Sequence, residues 1–116
     1  MTKVLNKIKG DCGEILAQKF LRKLKYKIIE TNYKNKFGEI DIIAQKDGKI
    51  VFVEVKSRET SAFGRPIEAV DLNKQNKIKK VAEFYLILHN QYYQEVRFDV
   101  VELLDGEITL TENAFQ

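Results

Sequence analysis

Four charged residues stand at alternating positions in two apolar segments. Glu39 and Asp41 fall in Glu39–Gln45, and Glu54 and Lys56 fall in Ile50–Lys56. Between the segments lies Lys46-Asp47-Gly48-Lys49. Asp-Gly flanked by strand-like residues signals a two-residue hairpin loop. With Asp47 and Gly48 as that loop, Lys46 pairs with Lys49. The register then sets Asp41 opposite Glu54 and Glu39 opposite Lys56. Side chains alternate along a strand, so these four point to one face. The other face carries Ile40, Ile42 and Ala44 against Val51, Val53 and Val55; it is wholly apolar and must be buried. The charged face turns apolar near the loop, with Ile43 and Phe52. The hairpin is therefore expected to be covered on both sides, with its charges at the mouth of a cleft.

Two facing carboxylates with Cβ atoms ~5 Å apart repel by roughly 3 kcal/mol at an effective dielectric of ~20. Lys56 offsets part of this but also faces Glu39. A sequence chosen for stability alone would avoid the arrangement. A bound Mg²⁺ or Mn²⁺ removes the conflict, because hard cations take clustered carboxylate oxygens. A raised carboxylate pKa would relieve it too. Glu-x-Lys in a strand is common on solvent-facing sheets; Asp41 at the matching register is what makes the pattern specific.

The surrounding elements must position this hairpin. Val4 to Leu24 reads as an amphipathic helix, with Leu5, Ile8, Cys12, Ile15, Leu16 and Phe20 at helical spacing as its buried stripe. Gly10, Glu14, Ala17 and Leu21 form a second column at the stripe's edge, where small residues permit close approach. Glu14 would then project at the helix–sheet boundary, although a solvated Glu is an equal reading. Lys27–Glu30 is a short strand ending in a polar turn. Ser57 to Pro66 reads as a loop. A helix follows, N-capped by Asp71 and running to about His89, with Ile78, Val81, Tyr85 and Leu88 buried. Val96–Leu104 and Glu107–Thr111 are the final strands, joined by Asp105-Gly106. The order α-β-β-β-α-β-β predicts an α/β fold, a mixed sheet flanked by helices.

The 116 residues suit a single domain, 1–116. A charged fraction of 32% and a hydrophobic fraction of 44% are those of an ordinary globular chain. No apolar run reaches membrane-spanning length and no signal-peptide core is present, which points to the cytoplasm. Cys12 is the only cysteine and reads as a small core residue; disulfide and multi-cysteine zinc chemistry are excluded. His89 is the only histidine, and at a helix end it reads as a cap on the last carbonyls. A net charge of +3 permits nucleic-acid binding without requiring it.

Gly38-Glu39-Ile40-Asp41-Ile42-Ile43-Ala44 and Val51-Phe52-Val53-Glu54-Val55-Lys56-Ser57-Arg58 resemble the bacterial YraN-type family of uncharacterised proteins. So do Asn32-Tyr33, Phe63-Gly64, Ala69-Val70 with Lys74-Gln75, Ala82, and Arg97-Phe98-Asp99. The resemblance runs from Gly10 to about Val101. That family is similar to archaeal Holliday-junction resolvases and to the PD-(D/E)xK nucleases. The resemblance implies a restriction-endonuclease-like core and metal-dependent cleavage of DNA, in a structure-selective manner. By it, Asp41 and Glu54 would be metal ligands, with the Val55 carbonyl completing the protein's share. Lys56 would position or activate water or stabilise phosphate charge. Glu14 matches a first-helix glutamate of resolvase-like members, and Gln75, with Lys74, a helix-borne polar position near the site. Ile40 stands where the superfamily motif often has proline. Resolvase-like relatives act as dimers, so a homodimer is implied, although the sequence marks no interface.

Candidates for phosphate contact are Arg58 and Arg65 in the loop after the hairpin, and Lys74, Lys77 and Lys80 on the second long helix. A nucleic-acid-binding module without cleavage on the same fold is the competing reading, since fold does not fix function. A protein-interaction domain with a basic partner is the third.

Overall fold

The structure, a computed structural model, describes residues 3–58, 71–91 and 94–116, with side chains from Cys12 onward and without that of Arg58. The elements are α1 (Lys3–Lys23), β1 (Lys27–Asn35), β2 (Gly38–Lys46), β3 (Lys49–Arg58), α2 (Leu72–Leu88), β4 (Val96–Leu104) and β5 (Glu107–Phe115). The expected order α-β-β-β-α-β-β is the order observed. The strands form one mixed sheet in the order β1-β2-β3-β4-β5. Only β3 and β4 run parallel, as the α2 crossover between them requires.

The central strands are apolar on both faces because a helix covers each. Ile42, Ala44, Val51, Val53 and Val101 pack with Ala17 and Leu21 of α1. Ile43, Ile50, Phe52 and Val100 pack with Ile78, Val81, Ala82 and Tyr85 of α2. The β2–β3 turn is as expected: Asp47 and Gly48 both have positive φ, 51° and 77°, and Lys46 pairs with Lys49. Asp71 caps α2, its carboxylate accepting from the Lys74 N–H at 2.8 Å. His89 caps the other end; its backbone N–H donates to Tyr85 O, and its ring Nδ1 lies 2.9 Å from the same carbonyl.

Several expectations are corrected. The buried column of α1 is Gly13, Ala17 and Leu21, whereas Cys12, Ile15 and Leu16 are exposed, the latter two at 52% and 47%. The helix lies directly on β3: a Cβ at Gly13 would meet Ser57 Oγ at 3.4 Å. That close approach favours the small column over the bulky one. In α2, Ala82 is buried, and Leu88 is 60% exposed because the helix ends there beyond the sheet. β1 and β5 are longer than expected, and β3 continues through Arg58. The rest of the Ser57–Pro66 loop lies outside the described residues.

The end of α1 is closed without glycine. Lys25 takes φ 72°, Tyr26 N–H bonds Leu21 O at 3.0 Å and Lys25 N–H bonds Arg22 O at 3.0 Å. This is a Schellman closure, in which the residue after the αL position packs back on the last turn. Tyr26 and Leu21 accordingly share one apolar cluster. The closure delivers the Tyr26 hydroxyl to Asp99, at 2.8 Å.

Candidate metal and nucleic-acid site

The β2–β3 ladder follows the predicted register from Lys46↔Lys49 to Ile42↔Val53, and there it stops. One step further, the Val55 N–H donates to Asp41 Oδ2 at 2.8 Å. The Asp41 carboxylate has taken the place of a strand carbonyl, so its side chain lies between the strands rather than on one face. Ile40 then falls in the α2-side cluster with Ile43, and Ile42 falls in the α1-side cluster. The expected grouping of Ile40 with Ile42 and Ala44 is thus overturned. The phase slip coincides with Asn32, at φ 53°, on neighbouring β1.

From this position Asp41 meets charge from both layers. Its carboxyl is pushed up to about 7, first by burial, then by the charge of Glu54. The Val55 hydrogen bond works the other way, and Glu14 on α1 and Glu39 add smaller repulsions. Asp41 thus feels the charge of Glu54 and, more weakly, those of Glu14 and Glu39. Glu39 is not opposite Lys56: it pairs across β1 with Lys34, 3.9 Å away and largely exposed. Opening of the ladder at Asp41 removes the predicted partnership.

Glu54 is almost fully buried and forms ion pairs with two lysines at one oxygen. Lys74 Nζ lies 2.9 Å and Lys56 Nζ 3.7 Å from Glu54 Oε1. Burial and the neighbouring Lys74 push the Lys56 ammonium down, while Glu54 and Asp41 oppose this. Lys74 is shifted up: burial works against its charge, but hydrogen bonding with Lys56 and Glu54 and the fields of Glu54 and Asp41 outweigh it. Asp41, Glu54 and Lys74 line a cleft of about 380 Å³ between the open hairpin end and α2, together with Glu39 and Lys77.

A larger cavity, about 750 Å³, lies at the opposite end of the sheet around Lys49, Arg97 and Glu112. Its charges already pair: Lys49 with Glu95, and Arg97 with Asp99 and Glu112. The carboxyl raised by burial and a like charge, Asp41, lines the smaller cleft instead.

Of the phosphate candidates, Lys74 is at the site, where it touches Glu54 directly. Gln75 is half-buried in the same first turn of α2, its N–H bonded to Asp71 O. Arg58 is the last residue of β3, and Arg65 lies outside the described residues. The Lys74–Glu54 contact is the main feature that spacing and alternation do not reveal. Its one sequence signal is a cation in the first turn of a helix with no acidic residue there, against the helix dipole.

Among the described residues, no three His, Cys, Asp or Glu side chains converge closely enough to hold a metal. Any cation here would draw on Asp41 and Glu54, the backbone and water. Mg²⁺ suits such a set, since it commonly binds through one or two carboxylates and keeps several waters. No described helix is long and apolar enough to cross a membrane.

A profile described as "Uncharacterised protein family UPF0102" matches residues 13–103. A UPF0102 protein of Clostridioides difficile is 48% identical over 112 residues, covering 95% of this chain and 98% of its own length. One from Persephonella marina is 44% identical over 108 residues, covering 93% of each. One from Syntrophomonas wolfei is 44% identical over 115 residues, covering 96% of this chain and all of its own.

Proposed function

The chain belongs to the UPF0102 family, and with that as premise we propose that it is a metal-dependent endonuclease, hydrolysing phosphodiester bonds of DNA with selectivity for strand structure. The observation that carries the reading is a carboxylate pair, half-buried Asp41 and buried Glu54, at a cleft with Lys56 beside Glu54. A carboxyl raised to about 7 by burial and by Glu54 is one that a bound cation would relieve.

Asp41 and Glu54 would hold Mg²⁺ or Mn²⁺, with the Val55 carbonyl completing the protein's share. When bound, the cation supplies an acidified water and positive charge for the phosphate. Lys56, fixed beside Glu54, brings a second positive charge to a centre whose carboxylates would otherwise repel a polyanion. Glu14, near Asp41 from the α1 side, is placed to orient water or ligand. Gln75 on α2, with Arg58 at the end of β3 and Arg65 beyond it in sequence, would hold the nucleic acid by its phosphates. A homodimer belongs with this reading where two strands are cut symmetrically.

The test is cleavage across a panel of branched, flapped, single-stranded and duplex DNA in Mg²⁺ or Mn²⁺. Wild type should cut. Asp41→Asn should not, and Lys56→Ala should lose roughly 10²–10⁴-fold, the usual worth of a positioned acid–base group. Cutting by Asp41→Asn at the wild-type rate overturns the reading. Binding without cutting by any form favours the non-catalytic module.

A further inference from the structure

Two ammonium groups address a single oxygen, Glu54 Oε1, and they are not equivalent. Lys74 makes the short contact, at 2.9 Å, from a side chain 41% exposed; Lys56 stands at 3.7 Å and is 16% exposed. Lys56 stands on β3, whereas Lys74 reaches in from the first turn of α2 and is the more exposed of the two. The position does nothing for the helix, because the first turn is the positive end of the α2 dipole and a cation there is disfavoured. What the contact does supply is a counter-charge to the Asp41–Glu54 pair.

We propose that Lys74 is the built-in competitor of the metal: its ammonium occupies Glu54 Oε1 in the unloaded site, and a divalent cation must displace it to bind. Lys74 is thus a positioning residue that sets how readily the site loads. This rests on the metal-dependent reading of the cleft.

Mn²⁺ titrated calorimetrically into the full chain tests it, with Lys74→Gln, Lys74→Arg and Asp41→Asn beside wild type. Lys74→Gln should bind Mn²⁺ roughly tenfold or more tightly than wild type, the equivalent of one charge-assisted hydrogen bond no longer in competition. Lys74→Arg, which keeps the charge, should stay near wild type. Asp41→Asn should show no site. Equal or weaker binding by Lys74→Gln, with binding still dependent on Asp41, overturns the competition and leaves the nuclease reading standing. Lys74→Arg binding as tightly as Lys74→Gln overturns its basis in charge. No Mn²⁺ binding by wild type or Lys74→Gln overturns both the competition and the metal reading beneath it.

Discussion

The Val55 N–H donates to the Asp41 carboxylate at 2.8 Å, at the point where the β2–β3 backbone ladder ends. The acid does a carbonyl's work in the sheet and is thereby pinned between the two helical layers. Asp41→Asn keeps an acceptor for Val55, whereas Asp41→Ala leaves that N–H unpaired, a cost of about 1–3 kcal/mol. Urea unfolding should therefore find Asp41→Ala clearly less stable than Asp41→Asn. Equal stability would mean that the hydrogen bond carries nothing.

The same carboxyl dictates a pH dependence. It is raised from an ordinary 3.8 to about 7, by burial first and by Glu54 next. Between those values the folded chain keeps a proton that the unfolded chain has lost. Stability of the metal-free protein therefore falls as pH rises from about 4 to about 7, and the cost, up to about 4 kcal/mol, persists above. Asp41→Asn abolishes this slope. Its advantage over wild type should be larger at pH 8 than at pH 5 in urea melts; a constant difference would contradict the raised pKa.

Binding to DNA should be governed by phosphates. Each cation meeting a phosphate adds about −0.9 to the slope of log affinity against log salt, so contacts from Arg58, Arg65 and Lys77 give about −3. Fluorescence anisotropy at several salt concentrations reads this slope directly. A slope near zero would count against a phosphate-tracking surface.

Asp99 is a fully buried acid that, like its partners Tyr26 and Arg97, does not line the cleft. It accepts from Tyr26 Oη at 2.8 Å, Arg97 Nε at 2.9 Å, Arg97 Nη2 at 3.0 Å and the Asn113 N–H at 2.9 Å. Asp99→Ala takes from Arg97 its buried partner, leaving Glu112 at 3.6 Å, and should cost about 3–5 kcal/mol, as breaking a buried pair does. Tyr26→Phe should cost less, about 1–3 kcal/mol. Mn²⁺ affinity of the folded Tyr26→Phe protein should be unchanged, which separates this network from the site.

The two columns of α1 give the last prediction. Leu21 is fully buried and Ile15 half exposed. Leu21→Ala should cost about 2–5 kcal/mol and Ile15→Ala under about 0.5 kcal/mol, read by thermal or urea melts. The reverse order would place the wrong face on the sheet.

By itself the sequence determined the element order, the hairpin and its register from Lys46 to Ile42, and the Asp71 cap. Those are local matters: a loop of two residues sets the pairing of everything beyond it, and alternation does the rest. Tertiary structure decided which column of α1 is buried, because hydrophobic spacing favours Ile15 and Leu16 while close approach to β3 admits only Gly13, Ala17 and Leu21. It decided that Asp41 lies between the strands, since a side chain replacing a ladder carbonyl leaves no trace in alternation. It gave Glu39 to Lys34 across β1, a strand the hairpin's own register does not include. And it brought Lys74 onto Glu54, a contact between residues twenty apart in the chain that exists only because α2 packs over the open end of the hairpin.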